Sequence, residues 1–229
     1  MMKAVCFDLF STLISVATVP KSVGKFTADV LGVSHDDWRD VCFSHAHEIC
    51  QPTEHVDVIH ALARSLDQSI PTERIEYAAS ERQKRFDFAL TDHVQMEVLT
   101  GLTRLRDAGY ALALVSNAST AEVSAWSDSP LAPLFDAAIF SCHCGLKKPD
   151  ADIYQHAAKM LDAELSECVF VGDGGSHEFQ GANQLGMPVL MMTAFTSAQQ
   201  QIQLRKTYQG AITAEVASVA EVLEWLRES

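Results

Sequence analysis

The sequence contains no apolar run close to the roughly 20 residues that a membrane-spanning helix needs. It is also poor in cations, with 17 Lys and Arg against 30 Asp and Glu and a net charge of −13. Because nucleic-acid backbones attract Lys and Arg, this balance argues against nonspecific nucleic-acid binding. Met1 and Met2 lead almost directly into the first predicted strand, with no signal-like segment. We therefore expect a cytoplasmic protein that binds neither membrane nor nucleic acid.

Internal repeats and low-complexity tracts are absent, and the six cysteines are scattered. Most of them lie in apolar or strand-like contexts, which favours reduced thiols in the core over disulfides. Residues 142–144 form a single Cys-His-Cys pattern without a second ligand pair, so packing is favoured over a metal site. The acidic excess means that an anionic substrate would need local cations, helix amino termini or a metal ion.

From residue 94 onward the sequence alternates apolar strand patterns with helix patterns. The predicted strands lie at 111–116, 137–140, 168–172, 189–192 and, weakly, 211–212. The predicted helices lie at 96–108, 120–126, 153–161, 178–185 and 216–226. Together with a first apolar strand at 4–7, this order predicts an α/β fold with a Rossmann-like, doubly wound parallel sheet.

The segment between residues 15 and 90 has no second strand pattern. Amphipathic helices are predicted there at 21–31, 36–50, 56–67 and 71–88. We interpret residues 16–89 as an all-helical cap domain inserted into a core formed by residues 1–15 and 90–229. The cap is expected to lie over the edge of the sheet where the first strand ends.

Polar groups follow four of the predicted core segments. They are Asp8 after the first strand, Ser116-Asn117 after the second, Lys147-Lys148 before a helix, and Asp173 after a later strand. Ligands bind where parallel strands end, so a carboxylate there is a candidate nucleophile or metal ligand. Taken singly, each group also fits a turn, a helix cap or a solvated surface.

Phosphoryl transfer gives each of these groups a role. Asp8 would attack phosphorus, Ser116 and a lysine would hold the transferring oxygens, and Asp8 and Asp173 would share a magnesium ion. Magnesium prefers a few carboxylate or carbonyl oxygens and several waters. The metal and the lysine together would offset the acidic field around an anionic substrate.

The order of these motifs resembles the haloacid dehalogenase-like hydrolase superfamily over nearly the full chain. The matching segments are FDLFSTL at 7–13, Ser116-Asn117, Lys148-Pro149-Asp150 and Gly172-Asp173. The resemblance implies a small-molecule hydrolase in which Asp8, Ser116 and Lys148 are catalytic. It further implies substrate contacts from Thr12, Asn117 and Arg39, and a magnesium site at Asp8, Phe10 and Asp173.

Two departures leave the reaction open. Family phosphatases usually carry an acid/base aspartate where this chain has Phe10, and the family's dehalogenases typically have an aromatic residue there. Arg39 and Tyr154 also resemble dehalogenase positions, although a surface cation and a packing residue are their ordinary interpretations. Asp173 favours the phosphatases, because the dehalogenases need no metal. Glu178 stands where the motif usually has its second acid.

The sequence therefore predicts a magnesium-dependent phosphatase with an aspartyl-phosphate intermediate on Asp8. The first alternative is a metal-independent 2-haloacid dehalogenase with an ester on Asp8. The second is a non-catalytic ligand-binding protein that keeps the fold. Without a proton donor at Phe10, a phosphatase would be slower by about 10²–10⁴-fold unless the leaving group is good. His177 lies within the Gly172-Asp173 motif segment and is the histidine best placed to stand near this chemistry. It could move a proton itself or act through a neighbouring residue.

Overall fold

A single parallel sheet forms the centre of the computed structural model, which describes residues 2–45 and 50–229. Its strands lie in the order β3-β2-β1-β4-β5-β6. Their bounds are β1 Ala4–Phe7, β2 Ala111–Ser116, β3 Ala137–Phe140, β4 Cys168–Gly172, β5 Val189–Met192 and β6 Ala214–Val216. The order reverses beside β1, which pairs with β2 on one side and β4 on the other. This reversal is where open α/β sheets form their binding crevice.

Alternate residues of the central strands pack into two apolar layers, because successive side chains in a strand point to opposite faces. Val5 and Phe7 face one layer, and Ala4 and Cys6 face the other. The helices of the core are α5 Met96–Asp107, α6 Ser141–Cys144, α7 Ala151–Met160, α8 Glu178–Gln184, α9 Ala198–Thr207 and α10 Val219–Glu228. Helices on both faces of the parallel sheet confirm the predicted fold class.

In the described part of the chain between β1 and α5, the α-helices are α1 Thr27–Leu31, α2 His35–His45, α3 His55–Leu66 and α4 Thr72–Thr91. They share an apolar cluster of their own, which includes Trp38, Ile59 and Ile75. The described part of residues 16–91 consists of helices, turns and loops. The assignment of residues 16–89 to a separate cap domain stays a prediction. Its helix α4 continues two residues beyond the proposed boundary at residue 89.

Several predicted bounds were wrong. The first cap helix begins at Thr27 rather than at residue 21, because turns follow Pro20. Cys50 is not helical, and residues 46–49 of the predicted helix at 36–50 lie outside the described residues. The predicted helix at 120–126 contains only short 3-10 turns. The weak strand was predicted at residues 211–212, but the last strand of the sheet is β6, at Ala214–Val216.

Helix α9 was not predicted from the sequence. None of its residues is buried, so it has no apolar periodicity to detect. Its start is set instead by Ser197, whose hydroxyl accepts a hydrogen bond from the Gln200 backbone. Among the described residues, no helix has the length and apolar character needed to cross a membrane.

Candidate active site

A cavity of about 60 Å³ lies at the carboxyl ends of β1, β2 and β4. It is lined by Asp8, Phe10, Ser11, Ser116, Asn117, Lys148, Asp173, Gly175, Ser176 and Glu178. Asp8 directly follows β1, and its backbone N–H donates to the Val171 carbonyl oxygen of β4 at 2.9 Å. The sheet therefore fixes the backbone at Asp8, which brings this carboxyl together with groups from two other strand ends.

Lys148 is the central cation of the site. Its Nζ lies 2.5 Å from Asp8 Oδ1 and 2.6 Å from Glu178 Oε2, and only 3% of the residue is exposed. Burial alone would lower the pKa of Lys148, but the charges and hydrogen bonds of Asp8 and Glu178 outweigh burial and raise that pKa above its usual value. Lys148 is therefore held in its charged form between two acids.

Two predicted substrate contacts instead have partners within the protein. The Asn117 side chain donates to the Lys148 carbonyl oxygen at 2.9 Å and accepts from the Lys148 backbone N–H at 2.8 Å. The Thr12 hydroxyl donates to Asp8 Oδ2 at 3.1 Å. In this arrangement Asn117 positions Lys148, and Thr12 orients the candidate nucleophile. Their direct contact with substrate remains a prediction.

Asp8, Asp173 and Glu178 offer carboxylate oxygens that all lie within 4.8 Å of one another. Burial and the nearby charge of Asp8 raise the pKa of Asp173 to about 6. Burial, reinforced by Asp8 and Asp173 against the opposing effect of Lys148, raises the pKa of Glu178 to about 8. Three clustered acids thus face one lysine, so a divalent cation with oxygen ligands would relieve their repulsion. The carboxylate oxygens of Asp8, Asp173 and Glu178 are the kind of ligand that a magnesium ion prefers.

Glu178 was predicted only as the usual second acid of its motif, but its carboxylate makes two hydrogen bonds within the candidate active site. Its Oε1 accepts the Gly174 backbone N–H at 2.9 Å, while Oε2 contacts Lys148. A side chain at Gly172 would bring its first carbon against Glu178 Oε1, so glycine leaves the room that this placement of Glu178 needs. The sequence signal for this arrangement was the Gly-Asp-Gly-Gly run before α8. Ser11, Gly175 and Ser176 also line the cavity and were not among the predicted site residues.

The Ser116 hydroxyl has no hydrogen-bond partner among the described residues, although it is fully buried. An unsatisfied buried hydroxyl costs roughly 1–3 kcal/mol, and a bound ligand can supply the missing partner. Because Ser116 lines the cavity and its hydroxyl has no partner among the described residues, this hydroxyl is available to an oxygen of a bound molecule. This placement agrees with its predicted part in holding a substrate oxygen.

Four of the remaining candidates do not line the cavity: Arg39, His177, Tyr154 and Cys142. Arg39 is exposed on α2, where it pairs with Asp36 at 3.0 Å. His177 is exposed and contacts the Tyr208 hydroxyl at 3.1 Å through Nδ1. The Tyr154 hydroxyl donates to the Glu178 carbonyl oxygen at 3.0 Å from a fully buried position. Cys142 is buried in α6, as packing predicted. Phe10 contributes its ring to the wall of the cavity, and its predicted role at a metal stays untested.

The fold and this cluster define a hydrolase of the haloacid dehalogenase-like class. The sequence model of the haloacid dehalogenase-like hydrolase family matches residues 2–186, and the chain belongs to that family. This membership confirms the resemblance found in the four motifs.

Sequence relatives include two different kinds of enzyme. The chain is 30% identical over 125 residues to bifunctional epoxide hydrolase 2 of Sus scrofa, covering 52% of this chain and 22% of that protein. It is 31% identical over 94 residues to glyceraldehyde 3-phosphate phosphatase of Methanopyrus kandleri, covering 40% of each protein. The chain thus spans less than half the length of these curated relatives.

Solved structures with the same fold include proteins named as dehalogenases and proteins named as phosphatases. L-2-haloacid dehalogenase of Xanthobacter autotrophicus superimposes with a TM-score of 0.72 at 20% identity, covering 100% of this chain and 99% of that chain. A phosphatase of the same superfamily from Thermococcus onnurineus gives 0.62 at 21% identity, with 98% of each chain covered. At such identities the likeness establishes the fold and leaves the reaction to the site.

Proposed function

We propose that the chain is a magnesium-dependent phosphatase of small phosphorylated molecules. The observation that carries this proposal is the position of Asp173, which adds a third carboxyl beside Asp8 and Glu178. A metal-independent reaction has no evident use for this extra, partly buried acid, whose charge beside two other carboxyls is costly without a cation. The phosphatases named among the relatives and structural neighbours agree with the proposal.

In the proposed reaction, a carboxylate oxygen of Asp8 attacks phosphorus and forms an aspartyl phosphate. The bond from phosphorus to the leaving oxygen breaks, and that oxygen departs with the electron pair and takes a proton from water. A water molecule then attacks phosphorus of the intermediate. The bond to Asp8 breaks, phosphate leaves, and the electron pair returns to the carboxylate while the proton from water passes to solvent or phosphate.

Other residues of the site assist both steps. The Ser116 hydroxyl donates to a phosphoryl oxygen, and Lys148 stabilises the charge that spreads over these oxygens. Asn117 holds Lys148 in place through its two backbone hydrogen bonds. Asp8 and Asp173 would hold the magnesium ion, and the nearby Glu178 carboxylate pairs with Lys148. The ion would screen their charge from the anionic substrate.

The test is phosphate release from acetyl phosphate and p-nitrophenyl phosphate, with and without magnesium. We expect activity that a chelator abolishes and magnesium restores. Asp8→Asn should lower the rate by about 10³-fold or more, because an amide oxygen is a poor nucleophile. Asp152→Asn is the matched control, since Asp152 is exposed on α7. Full activity in the presence of chelator would contradict the metal requirement.

A 2-haloacid dehalogenase is the second candidate, and Phe10 in the cavity wall supports it. In that reaction an Asp8 oxygen attacks the carbon that bears the halogen, halide leaves with the bonding electrons, and water hydrolyses the ester. The test is metal-free halide release from 2-chloropropionate, compared in wild type and Arg39→Met. Halide at the background rate would remove this candidate. Absence of both activities would favour the non-catalytic alternative.

A further inference from the structure

A second cavity of about 160 Å³ adjoins the first and shares Phe10 and Ser11 with it. It lies between the core and the helical insert. Its lining consists of Phe10, Ser11, Ser15, Val16, Ala17, Arg82, Phe86 and Glu122. A group attached to a phosphate beside Asp8 could extend into this cavity past the Phe10 ring. We call it the side cavity.

Aromatic and aliphatic groups form much of the side-cavity wall. The rings of Phe10 and Phe86 meet edge to face with centroids 5.4 Å apart. The Arg82 guanidinium carbon lies 4.4 Å from the centroid of the Phe86 ring. An apolar cavity of roughly 150 Å³ in a protein interior can hold benzene. The volume and the aromatic wall of the side cavity therefore suit one ring-sized group.

The two charged residues of the wall neutralise each other. Arg82 Nη2 lies 2.6 Å from Glu122 Oε1, and the side chains are only 15% and 5% exposed. Glu122 Oε2 also accepts the Ser119 backbone N–H at 2.9 Å. The guanidinium has five N–H donors, and the described residues give it one hydrogen bond, to Glu122. Arg82 therefore brings spare hydrogen-bond donors to the side-cavity wall, and its charge is paired with Glu122.

A carboxylate in the side cavity would lie near Glu122 and would make the local charge negative. A neutral acceptor such as a carbonyl or amide oxygen could bind the spare Arg82 donors without this repulsion. Like charges brought together in a binding site are a common cause of selectivity against a ligand. The charges thus favour a neutral leaving group over an anionic one.

We propose that the side cavity holds the leaving group of the substrate, and that this group is ring-sized, uncharged and equipped with a hydrogen-bond acceptor for Arg82. This inference rests on the proposed phosphatase function. The missing proton donor at Phe10 points the same way, because an aryl oxygen departs more readily as an anion than an alkyl oxygen. The substrate class is accordingly an aryl phosphate without a second negative charge.

The test compares 4-carbamoylphenyl phosphate with 4-carboxyphenyl phosphate, which have nearly the same size and differ by one charge. For wild type, kcat/KM should be about tenfold or more higher for the amide. Glu122→Gln removes the opposing charge and should shift this ratio at least about tenfold toward the carboxylate. Comparing the ratio between variants cancels the different reactivities of the two esters. Glu215→Gln is the matched control, because Glu215 pairs with Arg205 on the surface.

A second variant does not disturb the buried ion pair. Ala17 is exposed at the rim of the side cavity, so Ala17→Trp should fill its opening and leave the fold intact. It should lower kcat/KM for the aryl amide at least tenfold more than for acetyl phosphate, which has no ring. Ala198→Trp, at an exposed position on α9, should change neither value.

The outcomes separate this inference from the proposed function. Hydrolysis of acetyl phosphate with no preference for the neutral ester, or a Glu122→Gln shift no larger than that of Glu215→Gln, would overturn the inference alone. If acetyl phosphate also resists hydrolysis, the phosphatase proposal fails. Calorimetric binding of the same two esters then decides the inference, which requires tighter binding of the neutral ester and loss of that preference in Glu122→Gln.

Discussion

In the proposed phosphatase, Phe10 would limit how a leaving group can be protonated. Its ring forms a wall of both cavities and packs against Phe86 of α4. A phenyl ring carries no exchangeable proton, so water or the leaving group itself must complete the first step. In the proposed phosphatase, Phe10 would therefore link slow proton transfer to a preference for stable leaving groups.

We expect Phe10→Asp to raise the rate on an alkyl phosphate such as ethyl phosphate by about 10–10²-fold. General acid catalysis contributes about 10²–10⁴-fold in total, and an introduced acid would recover part of it. Steady-state kinetics on ethyl phosphate and acetyl phosphate measure the effect, and acetyl phosphate should change little. Phe10→Asn is the control, because it makes the same truncation without an ionisable group. An equal gain in Phe10→Asn would rule out proton transfer as the cause.

At the scale of elements, α4 connects the helical insert to the core. Arg82 pairs with Glu122, and Gln83 Nε2 donates to the Ala121 carbonyl oxygen at 2.9 Å. Arg85 is 2% exposed and donates to the carbonyl oxygens of Val16, Val19 and Gly24 at 2.7, 3.0 and 2.9 Å. One face of α4 therefore fixes both the side-cavity wall and the loop that precedes α1.

Arg85→Met should destabilise the protein by about 3 kcal/mol or more. The substitution leaves several buried carbonyl oxygens without donors, and hydrogen bonds from a charged group contribute about 1.5–3 kcal/mol each. Urea unfolding monitored by circular dichroism measures the change. Arg104→Met makes the same replacement at an exposed site of α5 and should stay within about 0.5 kcal/mol of wild type. Equal stability of the two variants would contradict a structural role for Arg85.

At the scale of the whole molecule, the net charge of −13 opposes the approach of an anionic substrate. The candidate site adds to this field, because Asp8, Asp173 and Glu178 surround a single lysine. A bound divalent cation would reduce the repulsion between the anionic substrate and the protein, and the repulsion among the three acids of the site. Metal binding and folding stability should therefore be linked, since only the folded chain brings the three acids together.

Magnesium at about 100 times its dissociation constant should stabilise the fold by about 2.7 kcal/mol. For a chain of this size, that gain corresponds to a rise in Tm of roughly 5–10 °C. Differential scanning calorimetry with magnesium, and with potassium at equal ionic strength, measures the shift. Asp173→Asn should lose most of it, whereas Asp152→Asn should retain it. A Tm that does not respond to magnesium would argue against the metal site.

The sequence by itself determined the fold class and the placement of Asp8, Ser116 and Asp173. Each of them stands at the end of an apolar strand, and such runs are local patterns that a parallel sheet turns into one shared edge. The family motifs likewise identified Lys148, although its partner Asp8 is 140 positions away.

Only the tertiary structure decided the partners of these groups. It placed Glu178 against Lys148, turned Asn117 toward the Lys148 backbone and left Arg39 on the surface. It also joined α4 to the core around a neutralised Arg82–Glu122 pair. Hydrogen bonds and charge compensation depend on distances through space, and those distances are set by packing between segments that no local periodicity relates.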